Sequence, residues 1–459
     1  MKNIPIIIGA LLFSTLFHKQ DIGLNLCLFS VLTVVTLVIY NTKTYKSKST
    51  KAYTIVYLIT AIAIFFYNNN LALIANIVAF FTLIGHTSEQ KSSIYINWIN
   101  GLYSVIVGVF HRNFNVKNDE EKVVLKKDID YLHYCKIITI PIAVVIIFIG
   151  LYKNGNPVFG NLIEKIDFSF INMQWLFITM VGYYLISNFS KPVIIDPATT
   201  TDINTANTLI KDEHINIDNL KKEHQLGFVL ISVLNLLIIL FLITDVTYLI
   251  TANDFRASAF SSQVHSGINA LIASIIIAII IILYFFRGNL NFYKDNKNLK
   301  IVAYIWIVLN IILVINITIK DTQYIYYFGL TYKRIGVLVY LLLTVIGLIT
   351  TVIKVKSIKN FWYLFRINTV TAFSILIMSC TINWDGFITI YNLNYAQSMD
   401  FNYLINLSNN NTFILKDHID NNDLSTPRAL AVEKKYKNYL ISLKNKNWQE
   451  IQFDNLKLN

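Results

Sequence analysis

Six side chains carry groups that could do chemistry: Asp245, Arg256, His265, Tyr327, Arg334 and Asp385. His265 with Asp245 is the most pointed pair. An imidazole, with its ordinary pKa of about 6.5, can carry a proton or ligate a metal. A carboxylate beside it would complete a His–carboxylate pair. No second histidine stands at ligand spacing, so His265 reads more readily as an interfacial residue capping a helix start. Arg334 opens an apolar run and needs an anionic partner if it is buried. Asp245, Asp254, Asp385 and a bound anion are candidates, and snorkelling to the headgroups is the alternative. Tyr324, Tyr326, Tyr327 and Tyr332 suit an interfacial aromatic belt better than a ligand cage. The chain has no Walker loop, GxSxG, HExxH or CxxC, and no GxGxxG after a strand, so no cofactor or metal is expected.

The elements that must position these residues are apolar helices. The chain has 459 residues, 55% hydrophobic and only 14% charged, with mean hydropathy +0.52. Soluble domains carry roughly 25% charged residues. Apolar runs of membrane length recur throughout, which predicts an all-α polytopic transmembrane bundle of 11–12 helices in a lipid bilayer. The net charge of +12 comes mostly from short loops beside those runs, a membrane-topology pattern and not a nucleic-acid patch. Cys27, Cys135 and Cys380 are far apart and fit neither a disulfide framework nor a metal site. The first run, residues 6–17, lacks a convincing cleavage site and reads as a retained helix.

Charge and hydropathy divide the chain into N-terminal helices 1–110, a cytoplasmic loop 111–136, a main helical domain 137–389 and a soluble tail 390–459. The basic loops around Lys191–Lys222, Arg287–Lys300 and Lys354–Arg366 are assigned to the cytoplasm, which leaves the tail external. Two features conflict with simple alternation. The Lys43–Lys51 loop is also basic, yet three runs (53–67, 71–85 and 94–110) separate it from the Arg112 loop. The first two are short, so one re-entrant or interfacial segment is expected. The loop 320–334 also carries cations on the predicted outer side. Asn235, Asn310 and Asn316 lie inside clean apolar runs, which contain no Asp, Glu, Lys or Arg in their middles.

Residues 324–334 read Tyr-x-x-x-Phe-Gly-Leu-Thr-x-x-Arg at the start of an apolar helix. With Gly23-Leu-Asn-Leu26, Asn156-Pro-Val-Phe159, Val264-His-Ser-Gly267, Asn383-Trp-Asp385, Tyr391-Asn392 and Asp400-x-x-Tyr-Leu-x-x-Leu407, this order resembles a bacterial membrane-protein family designated domain of unknown function 4153/4173. The resemblance implies a bacterial inner-membrane protein and carries no assigned activity. Three functions are open: a structural or accessory envelope component, a transporter or channel for a small solute or lipid-linked substrate, and an outer-face enzyme using His265 with Asp245 or Asp385.

Overall fold

The computed structural model describes residues 3–120, 172–212, 216–251, 257–421 and 426–458, with separated residues between 137 and 159. For 115–120, 246, 248–251, 257–269 and 426 it describes the backbone alone. Arg256, Asp254, Cys135 and most of the predicted 111–136 loop lie outside the described residues, as do the side chains of His265 and Tyr248.

The described chain is helical, with no strand and one isolated bridge between Thr208 and Lys359. The first half contains α1 (Ile4–Phe17), α2 (Leu24–Tyr40), α3 (Lys48–Tyr67), α4 (Asn70–Ser88), α5 (Ile94–Glu120), α6 (Met173–Ser190) and the short α7 (Asp196–Asn204). The second half contains α8 (Ile217–Thr251), α9 (Ala257–Phe285), α10 (Lys297–Phe328), α11 (Tyr332–Lys356) and α12 (Phe361–Cys380). Then come α13 (Trp384–Tyr395), α14 (Phe401–Asn406), α15 (Thr412–Asn421) and α16 (Thr426–Lys444). Seven described helices (α3, α4, α5, α8, α10, α11 and α12) are long and apolar enough to cross a membrane, and α1, α2 and residues 270–285 are shorter apolar helices.

The helices form two packed groups. One core, with Leu37, Tyr57, Leu83, Ile186 and Phe189, joins α1–α6; another, with Ile231, Ile282, Trp306, Leu313 and Leu348, joins α8–α11. The helix α12 packs on α11 and also on α3, α4 and α5, so it bridges the two groups. Large apolar side chains on the outer faces, such as Ile106, Leu236 and Ile280, are exposed. That inversion is expected where lipid, not water, is the surrounding medium.

Hydropathy underestimates the helices. The runs 53–67 and 71–85 belong to α3 and α4, of 20 and 19 residues, so neither is short for a bilayer. Polar first and last turns, such as Lys48-Ser-Thr-Lys51, are helical although they are not apolar. The same effect corrects the region 320–334. It is not a loop, because α10 continues through Lys320 and Asp321 to Phe328 and only residues 329–331 turn into α11. Likewise Asp245 does not end its helix, because α8 runs on to Thr251. His265 lies more than two turns inside α9 and is not at a helix start. At 1.5 Å per residue, α8 and α10 are each roughly 50 Å long, well beyond the ~30 Å hydrocarbon core. Charges can therefore sit within a spanning helix yet near the interface.

The basic loops meet at one end of the bundle. Gln90 donates to the Thr44 carbonyl, Leu209 N–H to the Ile358 carbonyl, and Asp212 N–H to Asn289 Oδ1. Described residues 41–51, 89–93, 191–224, 286–300 and 354–366 together carry seventeen Lys and Arg against seven Asp and Glu. The Lys43–Lys51 loop thus shares an end with the later basic loops. The opposite end gathers His18, Asn68, Asn172, the 329–331 turn and the C-terminal helices. His18 bonds Asn172 at 3.0 Å, and Asn68 donates to the Ile22 carbonyl.

The tail is folded onto this second end. Ile325, Leu330, Ile335, Ile388, Phe401, Leu404, Leu415 and Val432 form one core that spans α10, α11, α13 and the tail helices. Asn383 does more than close α12: its side chain accepts from Gly386 N–H and caps α13. Farther on, Leu24 N–H donates to the Ile451 carbonyl, and a Cβ on Gly23 would lie 2.3 Å from the Glu450 carbonyl oxygen. Gly23 is needed there because the tail's backbone lies against it.

Candidate functional site

The site is built around the three-residue turn between α10 and α11. Gly329 has φ 79° and ψ 173°, a conformation essentially restricted to glycine. Thr331 caps α11 by accepting from Arg334 N–H. Arg334 then folds back over the turn. Its guanidinium donates to the Phe328 carbonyl at 3.0 Å and to the Gly329 carbonyl, and lies 4.0 Å from the Tyr324 ring centroid. A cation in the first turn of α11 opposes that helix's dipole, but here it neutralises the carbonyl end of α10. Arg334 is 9% exposed, so its place on the less basic side follows from local capping, not from snorkelling.

Of the six candidate residues, Asp245, Tyr327, Arg334 and Asp385 have described side chains. Asp245 pairs with Lys320, joining α8 to α10. Arg334 has Asp321, 1% exposed, within electrostatic reach. Neither Lys320 nor Asp321 stands out in sequence, because both follow an apolar run as loop residues would. Their adjacency on a helix sends one toward α8 and the other toward α11. Tyr327 packs its ring against Tyr326, and its carbonyl accepts from Ser398 N–H.

Asp385 is the second centre. It is 2% exposed and occupies the first turn of α13, where a helix N-terminus favours an anion. Tyr332 donates its hydroxyl to Asp385 Oδ1 at 2.8 Å, and Ser408 donates to Oδ2. On α11 it is thus Tyr332, two residues before Arg334, that bonds Asp385. Tyr332 N–H donates to Tyr403 Oη at 3.0 Å. Asn392 completes the turn by exchanging two hydrogen bonds with the backbone of Leu330.

Behind this lies Lys435 on α16. Its ammonium donates to the carbonyls of Ile405, Leu407 and Ser408 and to Asn411 Oδ1, at 2.8–3.0 Å. Burial pushes its pKa down to about 8, against the attraction of Asp385. Asn411 also donates to Thr389 Oγ1 at 2.8 Å. The polar network thus runs from the end of α10 through α11 and α13 into the tail. It works as a clamp: Arg334, Asp385 and Lys435 are each held by hydrogen bonds within the chain. Among the described residues no group of three or more His, Cys, Asp or Glu could hold a metal ion.

A separate network at the basic end was not foreseen from the sequence. Asp202 on α7 accepts from Ser93 N–H and Oγ at 2.8 Å, from Tyr95 Oη at 2.6 Å and from Arg366 at 3.0 Å. Burial alone would raise the Asp202 pKa, but these hydrogen bonds prevail and hold it below the usual carboxylate range. The sequence signal was Arg366 itself, within the first two turns of an aromatic apolar helix.

An all-helical bundle with lipid-length apolar helices, apolar outer faces and one basic end defines a polytopic membrane protein. Its motifs now have positions: Phe-Gly-Leu-Thr forms the turn, Asn392 closes it and Asp385 anchors the tail. The chain belongs to the family described as a domain of unknown function (DUF4153), which matches residues 6–417. No curated protein and no solved structure matches it.

Proposed function

We propose that the chain is a structural or accessory component of a bacterial cytoplasmic membrane, with its basic end in the cytoplasm and its C-terminal module outside. The clamp carries this reading. Arg334, Asp385 and Lys435 direct their hydrogen bonds to the chain's own turn and tail, which makes the outer end a preorganised platform. The charge asymmetry between the two ends supports the orientation.

In a cysteine-free background, Leu430→Cys on the tail should react with a membrane-impermeant maleimide in intact cells. Ser357→Cys at the basic end should react only after lysis, and the reverse pattern would overturn the orientation. For the role, a deletion strain should be complemented by Asn310→Leu and not by Arg334→Met. The opposite result would favour the second reading, transport of a small solute. That reading has its own observation: Asn235 Oδ1, Asn310 Oδ1 and Asn316 Nδ2 are buried without hydrogen-bond partners among the described residues. Polar atoms of this kind can line a path through a bundle.

A further inference from the structure

Among the described residues the two helical groups do not close against each other at the basic end. Between them lies a cleft of 420 Å³ whose walls include Trp98 on α5, Leu283 on α9, Gly347 on α11 and Phe365, Asn368 and Ala372 on α12. Its volume falls within the roughly 300–1,000 Å³ of small-molecule sites. Three of its eleven lining residues are polar; the rest are apolar or glycine. On α12 the lining runs from Phe361, the first residue, to Ala372. That is a depth of about 16 Å at 1.5 Å per residue, or half of a ~30 Å hydrocarbon core. The cleft therefore serves one leaflet.

Gly347 sharpens the point. It sits inside α11, where glycine weakens a helix, and a Cβ there would meet nothing within 4 Å. Among the described residues no neighbouring helix presses on that position, so close packing between them does not demand the missing side chain. An empty apolar cleft forfeits dispersion contacts along its walls, and a flexible hydrocarbon chain restores them.

The charge of this end selects the class of lipid. The cleft lies at the end where the basic loops converge, whose described residues carry seventeen Lys and Arg against seven Asp and Glu. Basic pockets between helices on the cytoplasmic side attract anionic headgroups. We infer that this cleft holds one acyl chain of an anionic phospholipid from the leaflet at the basic end, with the phosphate among the basic loops of that end. The site is distinct from the outer clamp and does not depend on the accessory role.

The test is native mass spectrometry of the full-length protein in mild detergent, titrated separately with phosphatidylglycerol and phosphatidylcholine. Phosphatidylglycerol should bind at least tenfold more tightly. Gly347→Phe and Ala372→Trp fill the cleft from opposite walls, and each should weaken phosphatidylglycerol binding at least tenfold. Gly347→Ala should keep binding within twofold and report that α11 tolerates a side chain. Equal affinity for the two lipids in the unaltered protein would overturn the inference. So would undiminished phosphatidylglycerol binding in both filling variants while their thermal unfolding matches that of the unaltered protein.

Discussion

Asn392 and Leu330 exchange two hydrogen bonds: Asn392 Nδ2 donates to the Leu330 carbonyl at 2.9 Å, and Leu330 N–H donates to Asn392 Oδ1. Sixty-two residues separate them. The side-chain amide supplies the donor and acceptor that a paired backbone would have given, so a turn buried under the tail is left with no unsatisfied group at Leu330.

Asn392→Leu should therefore be costly. Both backbone groups of Leu330 would stay buried without partners, at about 1–3 kcal/mol each. Chemical unfolding in detergent should show a loss of at least 2 kcal/mol, with Asn392→Asp in between because it keeps the acceptor. A change below 0.5 kcal/mol would show that the turn does not depend on this pair.

Gly329→Ala tests the same turn from the backbone side. The residue has φ 79°, and an added Cβ would lie 2.7 Å from Asn392 Oδ1. Strain at such a conformation costs about 1–3 kcal/mol. Limited proteolysis should release the tail faster in this variant than in Gly347→Ala, which meets no neighbour. Equal rates would count against a strained turn.

Arg334→Lys keeps the charge but loses the planar fork that reaches two carbonyls and stacks on Tyr324. It should destabilise the protein measurably, and Arg334→Met more, since Asp321 would then be a buried carboxylate without its neighbouring cation. Adding Asp321→Asn to Arg334→Met should recover part of the loss. A double-mutant cycle with no coupling would separate the two residues.

The Asp202–Arg366 network gives a pH dependence. The folded-state pKa of Asp202 is depressed, so its contribution to stability is present above the ordinary carboxylate pKa and is lost as pH falls through the folded value. Asp202→Asn should lower the melting temperature at pH 7. The gap to the unaltered protein should narrow as pH drops below about 4. A gap independent of pH would mean that Asp202 acts by shape and not by charge. Removing one partner of such a buried pair costs about 3–5 kcal/mol.

The amino-acid sequence by itself determined the class, the family and the position of the seven described helices long and apolar enough to span. Those depend on local quantities: mean hydropathy over a bilayer's thickness, and the order of short motifs such as Phe-Gly-Leu-Thr. It also determined local caps, with Thr331 and Asp400 starting helices as their side chains dictate. Helix ends were less legible, because hydropathy marks the hydrocarbon boundary whereas α8 and α10 keep hydrogen-bonding past it. That is why Lys320 and Asp321 passed for loop residues. Only the tertiary structure decided which groups meet. Asp245 went to Lys320 and not to Arg334; Asp385 went to Tyr332 and Ser408; and Arg366 found Asp202. Each partner lies on a different element, and its approach is set by how helices pack across the bundle. Spacing along one chain does not encode that distance.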